Sequence, residues 1–241
     1  MDIHKPKAAH SIREFLIEIG TIVCGILIAL GLEQGIEYVH HRAAEMDARA
    51  AIEGEMARNV GYLLQREKQK DCIPARLGEL RVRLSAVIDG QQWRKPGWVG
   101  RPGNWTMEDT RWQAITKGGI AAMLSAREIE RYSYLQSRFP TILAEETVEQ
   151  TDWAELRSLE NIGRLDLPTA AHYQAVLRDA AFRAWRIRTL TAQAEVEVKQ
   201  LGLEVKANER PMSNSPCFPI DTTPDQAAQM NKAAGYPYGE P

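Results

Sequence analysis

The sequence predicts an all-α protein, in which one N-terminal transmembrane helix continues into a helical stalk and an antiparallel helical bundle, followed by an irregular C-terminal tail. Three observations predict this class. The segment 15–39 is nearly all apolar, apolar residues recur at helical spacing in much of the region that follows, and six of the twelve prolines lie in the last 35 residues. We therefore divide the chain into a short cytoplasmic N-terminus, a membrane helix, a stalk and bundle domain, and a proline-rich extended tail, at residues 1–14, 15–39, 40–206 and 207–241.

The segment from Phe15 to Val39 is the one whose composition best suits hydrocarbon. Its uninterrupted apolar core, 19–32, would rise about 21 Å as a helix, against a hydrocarbon thickness of about 30 Å. Flanking apolar residues on both sides supply the missing length. A buried helix of a soluble protein and a cleaved signal peptide are the alternatives, although Glu14 and Glu18 do not suit the basic start of a signal peptide.

Small residues form one stripe along this helix. Gly20, Cys24, Gly31 and Gly35 are spaced by four, seven and four residues, and the last two form a GxxxG motif. Such a stripe lets two helix backbones approach closely in lipid. It predicts self-association or docking to another membrane protein, with the simple abundance of glycine in membrane helices as the alternative.

The start of the chain also carries a resemblance. Residues 11–20, SIREFLIEIG, lead into ILIAL at 26–30 with an acidic residue shortly beyond. This pattern resembles uncharacterised bacterial proteins, a family of unknown function, that have one N-terminal membrane span and a helical domain after it. The resemblance covers about residues 11–60 and, more loosely, 112–134. It implies a topology and no activity.

Basic residues on either side of the span predict its orientation. Lys5, Lys7 and Arg13 precede the span, whereas Arg42 and Arg49 follow it among four carboxylates. By the positive-inside rule this bias favours a cytoplasmic N-terminus. We expect a single-pass protein of the bacterial inner membrane with a periplasmic C-terminal domain.

Two helices are expected between the span and residue 90. The first runs from about Glu45 to Lys70, and the second begins near Pro74, which suits a first helical turn, and ends at Gly90. Three arginines of the second helix are assigned to its solvated side, namely Arg76, Arg81 and Arg83. Each helix has one apolar face at helical period. These faces comprise Ile52, Met56, Val60, Leu63 and Leu64 in the first helix, and Leu77, Leu80, Leu84, Val87 and Ile88 in the second.

The segment 89–105 is rich in glycine, proline and tryptophan and is expected to be a long loop. Aromatic faces next to cations bind sugars, quaternary ammonium groups or bases, so the loop is a candidate ligand site. The alternative is a loop that its indoles pin to the helical core or hold at the lipid headgroups. The candidate ligand-binding residues are Trp93, Trp98, Trp105, Arg94 and Arg101.

Two capping-box patterns mark helix starts after this loop, at Thr106–Asp109 and at Ser125–Glu128. The second helix meets Pro140, where we expect an interruption, because proline breaks the hydrogen-bond ladder. It is expected to resume with an apolar face formed by Ile142, Val148, Leu156 and Leu159.

The most regular element follows Pro168, where nine positions alternate by four and three residues. This heptad seam is narrow because of its alanines and predicts a closely packed partner helix, either in the same chain or in a second copy. The seam comprises Tyr173, Leu177, Ala180, Ala184, Ile187, Thr191, Ala194, Val198 and Leu201.

The three cysteines connect the fold to the cellular compartment. Cys24 lies in the span, which leaves Cys72 and Cys217 in the rest of the chain. In an exported domain two thiols that meet tend to pair. We therefore hypothesise a disulfide between Cys72 and Cys217, with two unrelated thiols as the alternative.

No catalytic motif emerges from the sequence, and no cofactor or metal site is predicted. P-loop, GxGxxG, CxxC, HExxH and GxSxG patterns do not occur. A net charge of −2 does not suit a dedicated nucleic-acid-binding protein. The expected function is therefore that of a non-enzymatic, membrane-anchored helical scaffold or protein-interaction module. The alternative is a membrane-anchored small-ligand-binding module that uses the tryptophan-rich loop.

Overall fold

The computed structural model describes residues 12–209 and 215–235, and it confirms the all-α class, with 75% helix and no strand in the described residues. By its internal contacts the chain divides after residue 50 into two units. The helices are α1 (Ile12–Glu67), α2 (Cys72–Ile88), α3 (Thr110–Lys117), α4 (Ala126–Arg157), α5 (Leu167–Gln200) and α6 (Pro224–Ala233), with short 3₁₀ helices at Ile120–Met123 and Ser158–Glu160.

The first unit contains the apolar part of α1. Residues 12–42 are fully exposed helix, and α1 is long and apolar enough to cross a membrane. No break separates this part from the end of the helix at Glu67. Its exposed apolar side chains include Phe15, Leu16, Ile22, Leu27 and Leu32.

In the second unit, residues 51–67 of α1 pack against α4 and α5. The α1 face predicted from the sequence is largely confirmed, since Ile52, Met56, Val60 and Leu63 are buried. The hydroxyl of Tyr132 on α4 donates to Glu53 on α1 at 2.7 Å. A second bond joins the two helices farther along, from Arg66 to Glu149, so α1 and α4 run parallel.

The heptad seam of α5 finds its partners in the same chain. Seven of its nine positions are buried and the other two are half-buried. Arg183 pairs with Asp152 of α4, and Arg186 pairs with Glu145, so the two helices are antiparallel. Toward its N-terminus α5 also packs against α2, where Leu77, Leu80 and Leu84 join a core with Trp153, Leu156, Tyr173, Leu177, Val99 and Ile220.

Two expectations about α4 are wrong. Pro140 lies inside a continuous helix rather than at a break. Proline costs a helix interior about 3 kcal/mol, and the flanking buried residues Leu135, Phe139 and Ile142 offset this cost. Val148 is exposed, because the buried face continues from Ile142 through two glutamates to Trp153.

The helix starts are partly as predicted. Ser125 caps α4 with a complete capping box formed with Glu128. Thr106 caps no helix, since α3 begins at Thr110 after Asp109. The chain before Thr110 is instead held by Asn59, whose side-chain amide exchanges two hydrogen bonds with the backbone of Glu108.

The C-terminal segment, expected to be extended or disordered, contains helix α6. Thr223 and Gln226 form its capping box, with Pro224 in the first turn, a signal that the composition of the segment obscured. Ala227 and Ile220 of this segment are buried. Gly97 lies so close to this segment that a Cβ there would meet the carbonyl oxygen of Thr222 at 2.6 Å.

Candidate binding cleft and its surroundings

The three tryptophans of the 89–105 loop bind separate parts of the second unit. The indole N–H of Trp93 donates to the Ile162 carbonyl at 2.8 Å. The buried Trp98 donates to the Ser215 carbonyl at 3.0 Å. Trp105 stacks on Tyr62 with ring centroids 6.0 Å apart. The indoles therefore attach the loop to three different segments and do not gather around one space.

The loop cations also have protein partners. Arg94 reaches the carboxylate of Asp221 at 3.3 Å in an exposed pair. Arg101 donates to the side-chain oxygen of Gln150 at 3.3 Å, and Gln150 returns a bond to the Pro102 carbonyl. These contacts fix the loop against α4 and the C-terminal segment.

Two arginines of α2, Arg76 and Arg83, donate hydrogen bonds to backbone carbonyls of the loop. The sequence assigns both to the solvated side of the helix. Arg76 is almost fully buried and donates to the carbonyls of Trp98 and Val99, both at 2.7 Å, and to that of Phe218. Burial lowers the pKa of this guanidinium, and Glu79 opposes the shift. Arg83 is largely buried too, and only Arg81 of the three matches the expectation. At helical spacing, all three arginines lie away from the leucine face of α2. This spacing contains no information about the loop, which covers two of them in the folded protein.

Cys72 and Cys217 form a disulfide in the structure, with Cα atoms 4.9 Å apart. The bond joins the first residue of α2 to the C-terminal segment. Gln69 and Trp98 bind Ser215, two residues before Cys217, and so support the same junction. The apolar stretch around Cys217 is thereby part of the folded second unit.

In the first unit, the small-residue stripe lies on exposed helix. A Cβ atom added at Gly20, Gly31 or Gly35 would meet no atom within 4 Å. Cys24 is an exposed free thiol on the same helix. The surface needed for helix docking is present, and the structure contains no partner for it among the described residues.

A charged cluster that the sequence did not reveal lies inside the second unit. Glu149 is fully buried and accepts two bonds from Arg66, at 2.7 and 2.6 Å. Glu146, one turn earlier, is 1% exposed, and neither carboxylate oxygen has a hydrogen-bond partner within residues 12–209 and 215–235. Burial, opposed by Arg66 and reinforced by Glu149, raises the pKa of Glu146 to about 7.

A cleft of about 810 Å³ opens where the end of α1, α2 and α5 meet. This volume lies in the range of small-molecule sites, which run from about 300 to 1,000 Å³. The cleft wall combines apolar side chains with charged ones. The apolar residues are Ile73, Pro74, Leu77, Ala171, Ala175, Leu177, Ala181, Ala184 and Trp185.

The charged residues of the cleft are mainly cationic. Among the described residues, Glu67 is the one carboxylate that lines the cleft, and it lies 4.0 Å from Arg188. Burial raises the pKa of Glu67, against the influence of Arg188. Lys70 also lines the cleft and acts on Glu67 in the same direction as Arg188. Arg81 and Arg178 line the cleft too, and neither forms an ion pair within the described part of the chain.

Beyond the cleft, the same side of α5 carries a stripe of three exposed apolar residues and one half-buried threonine. Trp185, Thr189, Ala192 and Val196 follow at spacings of four, three and four, and they line a shallow groove with Tyr134 of α4. Trp185 is 61% exposed and Val196 is 52% exposed. The stripe lies opposite the buried heptad seam, so α5 has two such faces, and the described residues cover the seam and leave the stripe exposed.

The described residues contain no cluster of three or more His, Cys, Asp or Glu side chains that could hold a metal ion. Comparison of the chain with protein-family models, with curated proteins and with solved structures finds no match in any of the three.

Proposed function

We propose that the protein is a membrane-anchored helical interaction module that binds a helix of a partner protein along the exposed stripe of α5. The observation that carries the proposal is the stripe itself, defined here as Trp185, Thr189, Ala192 and Val196. Side chains at this four-three-four spacing lie on one face of a helix, and such a face packs against a neighbouring helix in coiled coils and helix bundles. Exposed apolar side chains that cluster at helical spacing, with charged residues beside them, are typical of interaction sites.

Anchoring is supported by the N-terminal helix. Its apolar side chains between residues 15 and 39 are exposed, which is unfavourable in water and favourable in lipid. The bias of Lys and Arg supports a cytoplasmic N-terminus. The disulfide between Cys72 and Cys217 supports an oxidising compartment for the second unit, such as the periplasm.

The orientation is tested by thiol labelling in cells with a permeabilised outer membrane. A cysteine placed at the exposed position 95 should react with a membrane-impermeant reagent. Mass spectrometry of peptides from protein isolated with blocked thiols, without reduction, should recover the linked pair of Cys72 and Cys217. Protection of the probe, together with free alkylated Cys72 and Cys217, would contradict export.

The docking surface is tested by site-specific photo-crosslinking in intact membranes. A photoreactive residue at position 185 or 196 should give a discrete crosslinked product. The same residue at position 148 is the matched control, because Val148 is also an exposed apolar position on a long helix. Products of equal yield from all three positions, or from none, would contradict docking at the stripe.

A further inference from the structure

We propose that the cleft between α1, α2 and α5 binds a single-chain anionic amphiphile, an apolar chain that ends in a carboxylate or phosphate. This inference goes beyond the docking of a protein helix on the stripe. It depends on the composition of the cleft, its balance of charge and a glycine in its wall.

The composition of the cleft selects the apolar part of the ligand. Ile73, Leu77 and Leu177 are mostly buried where they border the cleft, and Trp185 adds a largely exposed ring at its edge. An alkyl chain lying in the cleft would remove its own apolar surface and that of the Trp185 ring from water, worth about 25 cal/mol per Å². A small, fully polar anion would leave this surface uncovered.

The charges that line the cleft indicate that the head group of the ligand is anionic. Glu149 neutralises Arg66, and Glu67 faces both Arg188 and Lys70, which leaves Arg81 and Arg178 as cleft cations that form no ion pair among the described residues. Guanidinium groups bind carboxylate and phosphate through paired N–H donors. An anionic head group at the rim of the cleft would complement these two arginines.

Gly78 is the third observation. It lies in the interior of α2 and lines the cleft, and a Cβ atom added there would meet no atom within 4 Å. Glycine in a helix interior costs about 0.5–1 kcal/mol relative to alanine. Gly97 has no room for a side chain, so close packing explains why glycine occupies that position. Gly78 has room for one, and a cleft kept open for a ligand explains why glycine occurs there.

The test uses the full-length chain in nanodiscs of zwitterionic lipid. The probes are palmitate with a diazirine in its chain, the methyl ester of the same compound, and the corresponding lysophosphatidic acid. Labelled residues are mapped by mass spectrometry, with and without excess unlabelled palmitate. We expect saturable labelling of the cleft segments of α2 and α5 by one or both anionic probes and little by the ester. The responsive anionic probe identifies the head group.

Three variants make the test specific. Gly78→Trp should reduce saturable cleft labelling by about tenfold or more, since an indole with 150–250 Å² of surface would occupy the site. The double variant Arg81→Gln with Arg178→Gln should reduce it by about fivefold, as the loss of two partly solvated ion pairs predicts. Val148→Trp, outside the cleft, should leave it unchanged.

Circular dichroism of each variant checks that the helices are intact. The proposal would be overturned by cleft labelling that Gly78→Trp does not reduce, by equal labelling with the methyl ester, or by no saturable labelling of the cleft. Trp185 borders both the cleft and the stripe, whereas Val196 lines the stripe and not the cleft. Crosslinking from position 196 therefore tests helix docking independently of the cleft.

Discussion

Glu146 should make the stability of the second unit depend on pH. The perturbation is Glu146→Gln, which keeps the shape of the side chain and removes its charge. The carboxyl is 1% exposed and its oxygens have no hydrogen-bond partner among the described residues. The charged groups that act on it are Arg66 of α1 and Glu149 of α4. Arg183 of α5, which acts on Glu149, is paired with Glu145 and Asp152.

The sign follows from the raised pKa. Below about pH 4.5 the carboxyl is protonated in both the folded and the unfolded chain. Between there and about pH 7 the unfolded chain loses this proton while the folded chain keeps it, so stability falls as pH rises. Above about pH 7 the folded protein holds a buried charge. A shift from 4.5 to about 7 corresponds to about 3 kcal/mol.

The assay is urea unfolding of the full-length chain in mild detergent, followed by tryptophan fluorescence at pH 4.5 and pH 8. Glu146→Gln should match the wild-type protein within about 1 kcal/mol at pH 4.5 and exceed it by about 3 kcal/mol at pH 8. Because the charges of Glu146 and Glu149 act on each other, the difference between the two proteins contains this coupling as well as the burial of Glu146. A difference that does not change with pH, or a variant less stable at pH 8, would refute the reasoning.

Glu149→Gln should act in the opposite direction at pH 7 and lower the free energy of unfolding by about 3–5 kcal/mol in the same assay, since Arg66 would be left buried without its carboxylate. An unchanged free energy of unfolding would contradict the ion pair between Arg66 and Glu149. Gly97→Ala should cost about 1–3 kcal/mol, because its Cβ would overlap the Thr222 carbonyl, whereas the matched Gly78→Ala should be neutral or stabilising by up to about 1 kcal/mol. Equal effects at the two glycines in thermal unfolding would argue against the close approach. Reduction of the disulfide should lower stability by about 2–5 kcal/mol and open residues 215–235 to limited proteolysis, and unchanged cleavage after reduction would show that the bond does not retain this segment.

Local chemistry determined much of the architecture from the sequence alone. The exposed apolar helix, the heptad seam of α5 and the capping box at Ser125 depend on residue spacing within one segment, so a periodic pattern is enough to find them. The hypothesis of a bond between Cys72 and Cys217 came from elimination, because only two cysteines remained outside the span. These features need no knowledge of which helix packs on which.

Only the tertiary structure decided the features that depend on distant segments. Arg76 is buried because the 89–105 loop and the segment around Phe218 cover it. The spacing of residues within α2 contains no information about these distant segments. Glu146 and Glu149 lie in the core because the apolar residues on either side of them along α4 set its buried face. The cleft forms because Gly78 and the alanines of α5 leave space between helices that are far apart in sequence. Burial and empty space are properties of packed pairs of elements, so a pattern within one element cannot specify them.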